Sequence, residues 1–170
     1  EITAGQISAA DANAIAKATD GALTATIKSG SVAATLKALA DVDKAIDKIT
    51  FTTTDKTVNA RDLVKLGDKF QTPANFNVTS IETITENAKD VGVGAVNVTK
   101  ALAIAINADV KITGSISANI ADLIALDTTG VVTATINSGT ASNLLDALTD
   151  TTVNAYTITL LAGTAAAKDL

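Results

Sequence analysis

The side chains with the plainest capacity for surface chemistry in this 170-residue chain are threonine hydroxyls set in pairs. Thr24/Thr26, Thr50/Thr52, Thr133/Thr135 and Thr157/Thr159 each follow a Thr-x-Thr spacing. On an extended backbone, residues two apart point to the same face. Stacked side by side in a parallel sheet, the four pairs would make a flat ladder of hydroxyls and methyls. Such a ladder could recognise an ordered surface. Thr is also a good strand former that tolerates solvent on one face, and that accounts for the pairs more simply. Lys28 and Lys111 fall on the same face and interrupt its flatness.

Carboxylates are the second chemical resource. Asp41, Asp43, Asp47, Asp127 and Asp150 gather where helical runs are expected to return to strands. Calcium requires about six to eight oxygens converging on one point, which neighbouring loops of a stack could supply. Solvated turn carboxylates are the simpler reading, so no metal ligand and no cofactor are assigned. Two triplets, Asn77-Val78-Thr79 and Asn97-Val98-Thr99, are formal acceptors for N-linked glycans, although Thr- and Asn-rich sequences generate them by chance. Gly92 and Gly94 do not make a phosphate loop, because no further glycine follows at the right spacing.

Other chemistry is closed off by composition. The chain has no His and no Cys. That removes the usual zinc, haem, iron–sulfur and thiol centres, together with Ser–His–Asp and Cys–His nucleophiles. Carboxylates, Lys, Arg, hydroxyls and one Tyr remain, so no catalytic residue is assigned and an enzyme is not expected. The net charge is −5 and the 13 basic residues are scattered, unlike the basic patch of a nucleic-acid binder. Ala101 to Ile106, the longest apolar stretch, is far shorter than the roughly 20 residues of a membrane span.

The elements that must position these groups follow from a repeat. Leu23 to Asp41, LTATIKSGSVAATLKALAD, lies over Val132 to Asp150, VTATINSGTASNLLDALTD, at an offset of 109 residues with about half the positions identical. Upstream, Gly5, Ile7 and Ser8 fall on Gly114, Ile116 and Ser117, and Ile15, Ala16, Thr19 and Gly21 on Ile124, Ala125, Thr128 and Gly130. Downstream, Ile49, Thr50 and Phe51 fall on Ile158, Thr159 and Leu160. Inside the offset, a strand-like run, a small polar turn and an Ala/Leu-rich helical run recur. The helical runs open near Ser8, Ser31, Val58, Thr85, Ser117, Thr140 and Thr164, and the first four steps between them sum to the offset.

Each module can be read physically. Alternation places Leu23, Ala25 and Ile27 on one face, then Val132, Ala134 and Ile136, then Tyr156, Ile158 and Leu160. Ser29-Gly30, Ser138-Gly139 and Ala162-Gly163 make turns, and Ser31, Thr140 and Thr164 are expected helix N-caps. Leu36 with Leu39, and Leu145 with Leu148, are three apart and are expected to face the sheet. The middle is irregular and holds the only proline, Pro73. There Phe76–Ile81 and Val96–Val98 read as extended, with a helical turn near Thr85 to Asp90.

The expected fold is therefore α/β: a single right-handed strand–helix solenoid over 1–170, with a parallel sheet on one face and helices on the other. Composite repeat copies span about 1–61 and 110–170, around an irregular middle of about 69–109. The modular spacing is that of leucine-rich-type stacks, without their Leu/Asn consensus. The Thr array resembles those of ice-binding solenoids.

The run VTATINSGTASNLLDAL…NAYTITLLAGTAAAKDL resembles the tandem Ala/Thr/Asp-rich repeats of very large bacterial cell-surface proteins, of marine cyanobacteria and other Gram-negatives. Such repeats often accompany haemolysin-type calcium-binding repeats, whose glycine-aspartate nonapeptide is absent here. The resemblance implies an extracellular structural role, as S-layer element, adhesin shaft or filament subunit. An ice- or surface-binding ladder and a calcium-stabilised adhesin segment are the alternatives. Zero cysteine fits large exported bacterial proteins and cytosolic ones almost equally. Neither Glu1 nor Leu170 sits in a polar cap. The expected partners are thus further repeats of the same chain, or second copies stacked head to tail.

Overall fold

Four helices begin where a hydroxyl can accept a free amide of the first turn. Ser8 caps α1 (Ala9–Ala18), Ser31 caps α2 (Val32–Ala38), Ser117 caps α5 (Ala118–Leu126) and Thr140 caps α6 (Ala141–Ala147), each accepting from the amide three residues on. Between them run the strands β1 (Ile2–Ile7), β2 (Leu23–Ile27), β7 (Asp109–Ile116) and β8 (Val132–Gly139). The first residues of α1 and α5, of β2 and β8, and of α2 and α6 stand 109 positions apart. Ser138-Gly139 belongs to strand β8 rather than to a separate turn.

The computed structural model describes residues 2–161, with side chains from Gln6 onward; Ala162-Gly163, the cap at Thr164 and the helical run expected after it lie outside the described residues. The protein is a mixed α/β chain with two parallel sheets and intervening helices. It divides into two compact units, Glu1–Ile81 and Glu82–Leu170. In the first, the sheet order is β1-β2-β3-β5, with β3 at Lys48–Thr52 and β5 at Phe76–Asn77. A short strand β4 (Thr57–Asn59) leads into α3 (Ala60–Gly67). In the second, β6 (Thr83–Asn87), β7, β8 and β9 (Ala155–Leu160) are successive neighbours, and α4 (Val96–Ile104) lies between β6 and β7 in sequence.

Each sheet buries one side of its strands. Leu23, Ala25, Ile27, Ile49 and Phe51 are buried in the first unit, and Ile84, Val110, Ile112, Val132, Ala134 and Ile136 in the second. The helices answer with small and aliphatic residues such as Ala12, Val32, Leu39, Ala121, Ile124 and Leu144. Bulk enters at one place. The three phenylalanines, Phe51, Phe70 and Phe76, stack together with ring centroids 4.9–6.5 Å apart. Such contacts add to area burial.

Several expectations need correcting. Thr85 lies in β6, not at a helix start, and only Ala88–Asp90 forms a helical turn. The alternation Thr83, Ile84, Thr85, with Ile84 fully buried, fits a strand pleat. Val96–Val98 opens α4 instead of running extended. There Val98, Ala101 and Leu102, at helical spacing, bury together and override the strand preference of valine. Phe76–Ile81 is a strand only to Asn77, and a turn closed by the Ile81 amide on the Val78 carbonyl follows. Val58 belongs to β4, and the cap of α3 is Asn59. On α2 and α6 the inward positions are Val32, Thr35 and Leu39, and Leu144. Leu36 is half-buried, Leu145 is 55% exposed and Leu148 is half-buried, because the inward stripe passes one residue earlier.

A further correction concerns register. Ala25 pairs with Ile49, whereas Ala134 pairs with Tyr156. Tyr156 thus stands where Ile49 stands, two residues short of the 109 offset, because the loop before β9 is two residues shorter than the loop before β3. A two-residue slip leaves the inward and outward faces unchanged. That is why the sequence match ran through it undisturbed.

Two glycines have structural causes. β1 and β7 both carry a bulge, between Thr3 and Gln6 and between Lys111 and Ser115. Gly114 in the second has φ +92°, and a Cβ there would stand 3.2 Å from the Ala88 methyl. Gly130 presses on backbone, for its Cβ would meet the Ala108 carbonyl oxygen at 2.5 Å. We expect Gly114→Ala to cost about 1–3 kcal/mol, as a side chain forced to positive φ in a bulge must. Urea denaturation checks this; an unchanged midpoint would contradict the bulge assignment.

Candidate functional surfaces

The strands carry the threonines outward, but as two groups in two sheets. In the first unit Thr26 lies beside Thr50, and the Thr50 hydroxyl donates to Thr26 Oγ1 at 3.1 Å. Thr24 faces Lys48 on one side and Thr3 on the other, and Thr52 faces Asn77. In the second unit Thr135 lies between Ser115 and Thr157, while Thr133 lies between Lys111 and Ala155. Thr159 is exposed on the outer strand. The rows therefore mix Thr with Lys, Ser, Gln and Ala. In backbone register threonine pairs with threonine at Thr3–Thr24 and Thr26–Thr50 in the first sheet and at Thr135–Thr157 in the second.

The inward face tells a different story at β9. Tyr156 is half-buried, Ile158 is 41% exposed and Leu160 is 53% exposed. By register these positions match Ile49, Phe51 and Thr53, which are at most 2% exposed. Inward orientation at β9 therefore does not amount to burial. In the first unit β5 pairs with β3, Thr53 donates its amide to the Asn77 carbonyl, and Phe70 and Phe76 stack on Phe51. The helix layer shows the same contrast. Leu36 on α2 is half-buried beside α3, and its counterpart Leu145 on α6 is exposed.

The aspartates act on the backbone. Asp47 is buried, and its two carboxylate oxygens accept from the Leu23 amide at 2.9 Å and the Asp43 amide at 3.0 Å. Asp43 accepts from the Ala45 amide, Asp41 from the Asn13 side chain, and Asp150 from the Thr152 amide and hydroxyl and from Asn154. Asp127 ends α5 and is exposed. A half-open pocket of about 200 Å³ is lined by Thr19, Asp20, Asp41, Asp43, Ile46 and Asp47, among others. Its carboxylates at 41, 43 and 47 are those already committed to loop hydrogen bonds. Among the described residues no group of three or more carboxylates is placed to hold a metal ion, and no helix is long and apolar enough to cross a membrane.

Several supporting residues escaped the sequence reading. Asn13 and Asp122 occupy matching positions 109 apart. Asn13 Oδ1 accepts the Asp41 amide at 2.6 Å, and Asp122 Oδ1 accepts the Asp150 amide at 2.7 Å. Asp122 accepts in addition from the Thr149 amide and hydroxyl, at 2.6 and 2.8 Å. Burial pushes the Asp122 carboxyl upward, but hydrogen bonds from the Asp150 amide and from Thr149 outweigh it and hold the group below its ordinary value of 3.8. Asn154 Oδ1 accepts the Val132 amide as Asp47 does that of Leu23, and Lys69 closes the first unit's loop by donating to the Ala40 and Val42 carbonyls. The offset itself was the signal: Asn13 and Asp41 fall on Asp122 and Asp150.

Tyr156, the only tyrosine, has its phenol pushed up to about 12 by burial, with the charges of Asp150 and Asp122 adding to it. Compared with family models, with curated proteins and with solved structures, the chain matches none.

Two outcomes follow from these groups. A folded-state pKa below the unfolded value means that Asp122 stabilises above pH 3.8 and loses that contribution as pH falls through its depressed pKa. Asp122→Ala should cost about 1–3 kcal/mol at neutral pH, by stranding the Thr149 and Asp150 amides, and should flatten the acid limb of the stability profile. Tyr156 has the opposite sign: its contribution is full below pH 10 and is lost as pH rises through about 12. Tyrosinate absorbance of the folded chain should therefore titrate near 12 and return to about 10 in denaturant.

Proposed function

We propose that the chain is a non-catalytic structural segment of an extracellular bacterial cell-surface protein, working as a length of shaft, lattice or filament. On this reading the modules stack as a right-handed strand–helix solenoid, the hand that parallel strand–helix–strand connections nearly always take. Its work lies in length and stacking, and its partners are further modules of the same kind or second copies of the chain. The cell-surface assignment rests on the resemblance of its Ala/Thr/Asp-rich repeats to those of very large surface proteins.

The observation that carries the stacking part is the exposed apolar face around β9 and α6. Ile158, Leu160 and Leu145 occupy positions whose counterparts in the first unit are buried or half-buried by a following module. A parallel strand at the rim of a sheet offers unpaired backbone groups as well as apolar side chains, and both favour addition of another strand. Such addition joins two different surfaces, so it propagates in one direction and yields rods rather than closed dimers.

Sedimentation velocity over a wide concentration range, with electron microscopy of the concentrated sample, tests this. The wild-type chain should associate end to end, and Ile158→Lys should shift association to about tenfold higher concentration, as a charge at the centre of an apolar contact does. A strictly monomeric particle at every concentration would overturn the self-stacking reading.

A further inference from the structure

The two Asn-x-Thr triplets have unlike surroundings, and the difference has chemical consequences. Asn77 closes β5 and is exposed, as is Thr79. Its Oδ1 accepts from the Thr79 amide at 3.0 Å and from the Thr79 hydroxyl at 2.9 Å. The turn that follows is anchored from beneath. Ser80 donates to the Thr53 and Asp55 carbonyls, and the Ile81 amide donates to the Val78 carbonyl. These bonds use the acceptor oxygen of Asn77, and among the described residues its Nδ2, on an exposed side chain, has no protein acceptor.

Asn97 is held the other way. It lies in the first turn of α4, half-buried, and its Nδ2 donates to the Asp90 carbonyl. Its neighbour Val98 is wholly buried. Its side chain also closes over Gly92, where a Cβ would stand 3.4 Å from Nδ2. To reach the nitrogen of Asn97 a reagent must break that hydrogen bond and open the start of the helix.

We infer that Asn77, and not Asn97, is a site at which the folded chain accepts an N-linked glycan. The donor class is a polyisoprenyl-pyrophosphate-linked oligosaccharide. In the transfer, Asn77 Nδ2 forms a bond to the anomeric carbon while the bond from that carbon to the pyrophosphate oxygen breaks. The lipid pyrophosphate leaves with the electron pair, and the amide proton passes to a base of the transferase. The Thr79 hydroxyl and amide, bonded to Oδ1, fix the rotamer of the carboxamide and present its nitrogen to solvent. A glycan here would occupy the end of β5, the outer strand of the first unit's sheet, whereas β9 belongs to the sheet of the second. The inference rests on the extracellular reading for its cellular route, but the chemistry of the site does not.

The test uses folded full-length chain, a purified oligosaccharyltransferase and its lipid-linked donor, read by intact mass and peptide mapping. Asn77 should carry the adduct in at least about tenfold excess over Asn97, whose reaction waits on local opening. Asn77→Gln should abolish the adduct, Asn97→Gln should leave it, and Thr79→Ala should reduce it to background with the fold intact by circular dichroism. Equal occupancy of both sites, or no adduct on the folded wild type, would overturn the assignment. Because the reaction is run in vitro, its failure is separable from a failure of the extracellular reading. That reading would fail on localisation of the chain in its own cell.

Discussion

The amides at the start of a strand or helix find no partner within their own element, and here side chains about one strand–helix step away supply the acceptors. Asp47 takes the Leu23 amide, Asn154 takes the Val132 amide, Asp55 takes the Val32 amide and Asp109 takes the Val131 amide. In three of the four the acceptor comes 22 to 24 residues further along the chain, about one module on. A module therefore lacks partners until its successor has been laid down. The burial pattern obeys the same logic, since thin layers of Ala, Val, Ile and Leu exclude water only when another layer covers them. On the proposed stacked reading, stability belongs to the junctions between modules more than to the modules.

This explains why ordinary turn chemistry is so dense. Thr19 and Thr128, one repeat apart, each accept the amide of a glycine two residues on, and Thr128 donates to the Ile106 and Ala108 carbonyls. With no disulfide possible and a single exposed ion pair, Lys44–Asp68 at 3.9 Å, given by the described residues, the loops are held by neutral and charge-assisted hydrogen bonds. An exposed pair of that kind contributes little. Of the aspartates that looked like a calcium resource, Asp41, Asp43, Asp47 and Asp150 accept hydrogen bonds in these loops, and Asp41 and Asp150 do so one repeat apart.

Where the repeat operates, sequence was a good guide. The caps Ser31 and Thr140, the helix starts near Ser8 and Ser117 and the inward residues of β2 and β8 were all legible, because a hydroxyl before a helical run and a period of two have local causes. The middle was not legible. Val96–Val98 has the composition of a strand, and its helix depends on burial of Val98, Ala101 and Leu102, which only tertiary structure decides. The phenylalanine cluster joins residues from β3, β5 and the loop after α3, a juxtaposition with no periodic signature. The threonine pairs were visible as pairs, with Lys111 on their face, but their rows depend on register, and register placed Lys48 beside Thr24.

The shortened loop before β9 has an implication for how a chain of this kind can vary. A strand fed by a loop two residues longer or shorter slides along its neighbour by one full pleat and presents the same chemical character inward. A change of one residue would turn every apolar side chain toward water. Loop lengths in such repeats are therefore filtered by parity: even insertions and deletions are absorbed as a sliding of the ladder, while odd ones must be rescued by a bulge. The glycine-bearing irregularities of β1 and β7 take up extra residues within the strand, one in β1 and two in β7, and only the first is a device of that second kind. Between them, the slip and the bulge let two copies diverge in length while their faces stay aligned.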